Sequence, residues 1–179
     1  IAALSATRIA ALSASAIPGL TTSQIAALGA HQIEALTTAQ IAALGSKQIA
    51  ALGTAAIAVL SPQQIAALNA TAVAGLSTDH IAALSAVQAE ALTDAQIGAL
   101  NSRQIAAFGT DDLEMFSTAD IASISSRAIS GLSTSTIASL TVSQVAALNA
   151  ASIGAMTTDQ IAAMNIDQVE ALTSIQVAA

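Results

Sequence analysis

From Ile1 to Val177, every eighth residue is a core-type aliphatic, and Ala89 is the one position in that column without a large side chain. The register never slips by a residue. A fixed short period without insertion means that one small structural unit is stacked many times, about 22 here. Such an array is quasi-one-dimensional. Each octad has to bury its apolar residues against neighbouring octads, because it cannot bury them alone.

Thr37-Thr38-Ala39-Gln40-Ile41-Ala42-Ala43-Leu44 serves as the type octad. Its first position is Ser, Thr, Asn or Gly in all 22 octads, the set favoured at a helix N-cap. Three residues later comes Gln in 12 of the 22, as in Gln24, Gln40 and Gln168. Ser/Thr-x-x-Gln is a capping box: the cap oxygen accepts from a backbone N–H and the Gln reaches back to the cap. The residue before the cap is Leu, Met, Phe or Ile, and the residue four after it is the Ile. That pair matches a hydrophobic staple.

The rarer residues agree. All seven Asp (79, 94, 111, 112, 120, 159 and 167) fall within three positions after a cap, where negative charge suits the helix dipole. Pro62 directly follows cap Ser61, a place where a missing N–H costs nothing. A β-solenoid would need alternating β-branched strands, whereas Ile41 and Leu44 stand three apart with Ala as filler. Each octad is therefore expected to form a helix of about six or seven residues, ended by the next cap. Pro18, late in its octad and followed by Gly19, predicts a shortened or distorted helix over 13–20.

Helices this short are unstable alone, so the fold class expected is an all-α solenoid of about 22 short capped helices over 1–179. The Ile and Leu columns form its core. The position before the Leu is small in all but two octads, at Val59 and Met115, which lets backbones approach. The two positions after the cap and the one after the Ile should face solvent. Caps that alternate over Thr21, Gly29, Thr37 and Gly45 favour two octads per superhelical turn, with three as the alternative.

Composition limits the function. No Cys is present, so disulfides and thiolate chemistry are excluded. Arg8, Lys47, Arg103 and Arg127 are too few and scattered for a nucleic-acid backbone, and the net charge is −7. Mean hydropathy is +0.71, yet polar residues recur in every octad, so no transmembrane run exists. The chain starts and stops in mid-octad, and it is expected to be a piece of a longer array.

The one local anomaly runs from Phe108 to Phe116. It holds both Phe, Met115 and the acids Asp111, Asp112 and Glu114. Phe108, Asp111, Asp112, Glu114, Met115 and Phe116 form the candidate interaction patch, with a weak cation site as one reading. The other reading is that the Asp residues cap a helix and the larger apolar residues repack one octad. His31 reads as solvent-facing variation, and His80 as a substitute for the capping-box Gln. Asn69-Ala70-Thr71 matches a glycosylation sequon, although Asn is also an ordinary cap here. No catalytic constellation, phosphate loop, cofactor or metal site can be singled out.

The unit Leu-Thr-Thr-Ala-Gln-Ile-Ala-Ala, Leu36 to Ala43, resembles the tandem octapeptide arrays of large secreted bacterial surface proteins of the adhesin and RTX-associated kind. The resemblance spans the chain. It implies a bacterial, extracellular or cell-surface setting and a structural role. The Gly- and Asp-rich nonapeptides of the calcium roll are lacking, so that feature does not carry over. The function expected is a non-enzymatic structural rod: a spacer, stalk or filament subunit able to associate end to end. A solenoid that binds a protein or glycan through the variable positions is the alternative. No nucleic-acid partner is expected.

Overall fold

A computed structural model describes residues 1–179. It contains 20 α-helices and two 3₁₀ turns, one element per octad, and no strand. The α-helices run four to six residues, as in Ala70–Val73 and Pro62–Ala67, slightly shorter than the sequence suggests. Some stop where the Leu before the next cap turns towards extended backbone, as at Leu68 and Leu100, and others end at the preceding residue, as at Ala43, with the Leu44 N–H donating to the Ile41 carbonyl. The chain divides into two compact units, Ile1–Leu92 and Thr93–Ala179, and the same construction holds within each.

Caps and boxes form as the sequence requires. Thr37 Oγ1 accepts from the Gln40 N–H at 3.2 Å, and the Thr37 N–H donates to Gln40 Oε1 at 2.8 Å. At a Gly cap only half of the box can form: the Gly45 N–H donates to Gln48 Oε1 at 2.9 Å. The octad holding Pro18 is the 3₁₀ turn Ala14–Gly19, the distortion expected where proline removes a donor.

The turn size differs from the favoured two octads. In the first unit, Thr38–Ala42 packs on Pro62–Ala67, Ser46–Ala50 on Ala70–Val73, and Thr54–Ala58 on Thr78–Ala82. In the second, Thr118–Ser123 packs on Val142–Ala147, and Thr134–Ser139 on Thr158–Ala162. In every pair the partner lies three octads further along the chain, so three octads complete one turn. The alternation of Thr and Gly caps carries no turn information, because at a Gly cap the Gln still accepts from the backbone N–H.

The Ile column is the axis of the core. Ile33, Ile41, Ile49, Ile57 and Ile81 are fully buried, as are Ile121 and Ile137. The cover comes from the following turn. In the last turn described, the same positions stand open: Ile161 is 40%, Val169 48% and Val177 70% exposed. Ala89, the exception in the column, is buried too, and its octad keeps the Ser85–Gln88 box.

Candidate functional site

The feature that recurs with chemical specificity is the second half of the Gln side chain. Oε1 is committed to the cap, which leaves the Nε2 amide to donate elsewhere. Gln40 Nε2 donates to the carbonyls of Ile9 and Leu12, both at 2.8 Å, in the preceding turn. Gln88 does the same to Ile57 and Leu60, and Gln168 to Ile137 and Leu140. Of each pair, the Ile carbonyl also accepts from the Leu N–H of its own octad, as Ile9 does from Leu12, while the Leu carbonyl lies just past the helix end, where the helix itself supplies no donor. One buried amide thus closes an N-terminus in its own octad and a C-terminus in the turn before.

The sequence carried a signal for this that the capping-box reading missed. A capping box accepts Glu as well as Gln, yet none of the four Glu occupies that position; all stand directly after the Ile column, at 34, 90, 114 and 170. Glu can accept, but an ionised carboxylate cannot donate. The preference points to a donor requirement. Asp112 and Asp120 are the acids that do stand there, with shorter side chains that accept from their caps.

Other substitutes supply the donor. His80 is buried; its Nδ1 accepts from the Ser77 N–H and its Nε2 contacts the Leu52 carbonyl at 2.8 Å. A carbonyl only accepts, so the ring carries its proton on Nε2. In Asn69–Leu76 the box position is Ala72, and the cap supplies the amide instead: Asn69 Nδ2 donates to the Ala42 and Leu44 carbonyls at 3.0 and 2.8 Å. Asn149 does likewise to Ala122 and Ile124, assisted by Ser152 Oγ. Asn101 and Asn165 have a Gln in the box and act as caps. The amide of the Asn69 sequon is therefore engaged in holding two turns together.

The patch from Phe108 to Phe116 is only partly a surface. Phe108 and Phe116 occupy the Leu column, are buried, and meet edge to face with ring centroids 5.5 Å apart. Asp112 accepts from the Gly109 N–H at 3.0 Å and Asp111 lies in the first turn, so the two Phe belong to the core and Asp112 to the cap. What faces outward is Asp111, Glu114 and Met115, the last 54% exposed. His31 is exposed and contacts Glu34 at 3.2 Å.

Shallow grooves lie where octads meet. One of about 500 Å³ is lined by Pro18, Leu20, Thr21, Gly45, Lys47 and Gln48 among others. Its counterpart two octads on, of about 330 Å³, is lined by Glu34, Leu36, Thr38, Val59, Ser61 and Gln64. The groove is a product of the repeat, varied by its lining.

A family model built on such a repeat matches residues 26–54, 50–86, 73–110 and 105–142, well over half of the chain. The chain belongs to the ALTTAQ repeat family. Residues Ala35 to Gln40 spell that name letter for letter. No curated protein matches the chain. The ALTTAQ octad is thus a box, a staple and a cross-turn amide in one short unit. No helix here is long and apolar enough to cross a membrane.

A second period overlies the first. Gly at the seventh octad position occurs only at Gly19, Gly75 and Gly131, and each of these octads has Ala in the box (Ala16, Ala72, Ala128). The spacing is seven octads. Lys47 and Arg103, Glu34 and Glu90, and the bulky Val59 and Met115 repeat at the same interval.

Proposed function

We propose that this ALTTAQ array is a non-enzymatic structural element, a spacer, stalk or filament subunit of a bacterial surface or extracellular protein. The observation that carries the reading is the cross-turn amide. The buried polar side chains Gln40, Gln88, His80 and Gln168 commit their hydrogen bonds to holding turn to turn, which is what a stack under tension needs and a reaction centre does not. The resemblance to secreted octapeptide arrays supports the setting.

The test is length. Removing three octads, one full turn, from the array in its natural chain should shorten the reach seen by electron microscopy by one turn and leave folding intact. Loss of an enzymatic activity on that deletion, with reach unchanged, would sink the reading. A binding module is the second reading, favoured by the recurring grooves at Pro18–Lys47 and Glu34–Val59.

A further inference from the structure

Three octads per turn place the octads on three sides, and in Thr93–Ala179 the sides differ in charge. One side stacks Asp94–Ala99, Thr118–Ser123, Val142–Ala147 and Ile166–Glu170; its charges are Asp94, Asp120, Asp167 and Glu170. A second stacks Thr110–Glu114, Thr134–Ser139 and Thr158–Ala162 and carries Asp111, Asp112, Glu114 and Asp159. The third, built from octads 101–108, 125–132, 149–156 and 173–179, carries no acidic side chain and both arginines of the unit, Arg103 and Arg127.

Arg103 and Arg127 hold neighbouring places one turn apart, where Ser102–Ile105 packs on the turn Ile129–Gly131. Both are exposed, and neither has a carboxylate within ion-pair distance. The exposed Ala106, Ser126 and Ser130 of the same octads are small. On the second side, Asp111 and Glu114 flank the exposed Met115. A thioether between carboxylates suits an arginine, which can lay its stem on the apolar atom and give its fork to the acids.

We propose that the Arg103–Arg127 side of one copy docks on the Asp111–Glu114–Met115 patch of a second copy, giving lateral association of the arrays. Charge complementarity within one chain selects the occupant: a protein of net charge −7 repels its own kind except where a side free of acidic side chains meets an acidic one. The two surfaces are different, so the contact is heterologous and can propagate into an open assembly. The proposal builds on the structural reading above, and a monomeric chain would remove it while leaving the spacer reading intact.

Sedimentation velocity on the whole chain tests it. At low ionic strength the sedimentation coefficient should rise with concentration, and the rise should vanish at high salt. R103E/R127E and D111K/E114K should each lose it, while an equimolar mixture of the two variants should regain association, because the native arginines meet the native acids and the new Glu side meets the new Lys patch. A wild type that stays monomeric at low salt overturns the proposal, as does association that persists in R103E/R127E. Arg-dependent binding of heparin by a chain that remains monomeric would assign the side to an anionic polysaccharide and overturn it equally.

Discussion

Octads 37–44 and 69–76 share a cap, a core Ile or Val and a Leu, but they solve the contact with the turn before them in opposite ways. In Thr37–Leu44 the Gln40 amide stands between the turns and donates to both carbonyls. In Asn69–Leu76 the box residue is Ala72 and the backbones close in. A Cβ on Gly75 would overlap the Ser46 carbonyl. Octad 125–132 repeats this arrangement seven octads later, where a Cβ on Gly131 would overlap the Ser102 carbonyl. Octad 53–60 shows that Ala in the box is not sufficient: with Val59 at the seventh position, its Ala56 stays half-buried, whereas Ala72 and Ala128 are sealed. The Gln side chain is thus a spacer as well as a clamp. Where Ala replaces it and the turns close, the seventh position lies against a neighbouring main chain, and only glycine fits.

The sharpest way to break this comparison is Gly75→Ala. The methyl has backbone to displace and nowhere to go, so a loss of about 2–3 kcal/mol in urea-melt stability is expected. Gly53 is the control, a cap inside the same unit with nothing within 4 Å of its Cβ site. Gly53→Ser should therefore be neutral or gain about a few tenths of a kcal/mol from the added cap oxygen. Equal losses at both sites would show a general cost of replacing glycine and not the approach of a neighbouring turn.

Next in size is Gln168→Glu, which keeps the shape and the cap-side acceptor and removes only the donor. A carboxylate would then face the Ile137 and Leu140 carbonyls in a fully buried site. A loss of about 2 kcal/mol at neutral pH is expected. Burial and the facing carbonyls raise the introduced carboxyl above its unfolded value. Protonation restores an O–H donor, so the deficit against wild type should shrink as pH falls through the raised folded value and be full above it. A deficit independent of pH would point to packing instead of the donor.

These two sites show what was legible in the chain before its structure. The cap, box, staple and Ile columns predict the helices, and the octad of Pro18 is distorted as proline requires. Turn size was not readable, because every octad presents the same columns and nothing local distinguishes a neighbour two octads away from one three away. The half of Gln40 that fixes it, the amide, looks redundant once the capping box explains Oε1. Phe108 and Phe116 enter the candidate patch by residue type, yet they fill the Leu column, as the repacking reading has it, because register outweighs residue type.

Asn69 and Asn101 sharpen the comparison at a smaller scale. Both cap helices, but only Asn69 has no Gln in its octad and sends its amide across the turn. Asn69→Ser keeps the cap oxygen and drops the amide, for an expected cost of about 1 kcal/mol. Asn101→Ser, with Gln104 in place, should cost a few tenths at most. The ratio of the two effects in paired thermal melts is the readout, and similar values would mean that the Asn69 amide adds nothing beyond the cap.

The smallest effect should come from His80→Gln. The imidazole already does both jobs of the glutamine, accepting from Ser77 and donating to Leu52, so the swap exchanges one pair of hydrogen bonds for the same pair. A change within about 0.5 kcal/mol is expected. The tautomer gives an independent check, because the geometry requires the proton on Nε2, and the ¹⁵N shifts of the two ring nitrogens distinguish it from the Nδ1 form. An Nδ1–H tautomer at neutral pH could not accept from the Ser77 N–H, and it would remove His80 from the set of cross-turn donors. His80→Ala then separates donor from filler. It removes both bonds and leaves the turn spacing of a Gln octad without the Gly that would let the turns close in, so its loss should exceed that of Asn69→Ser.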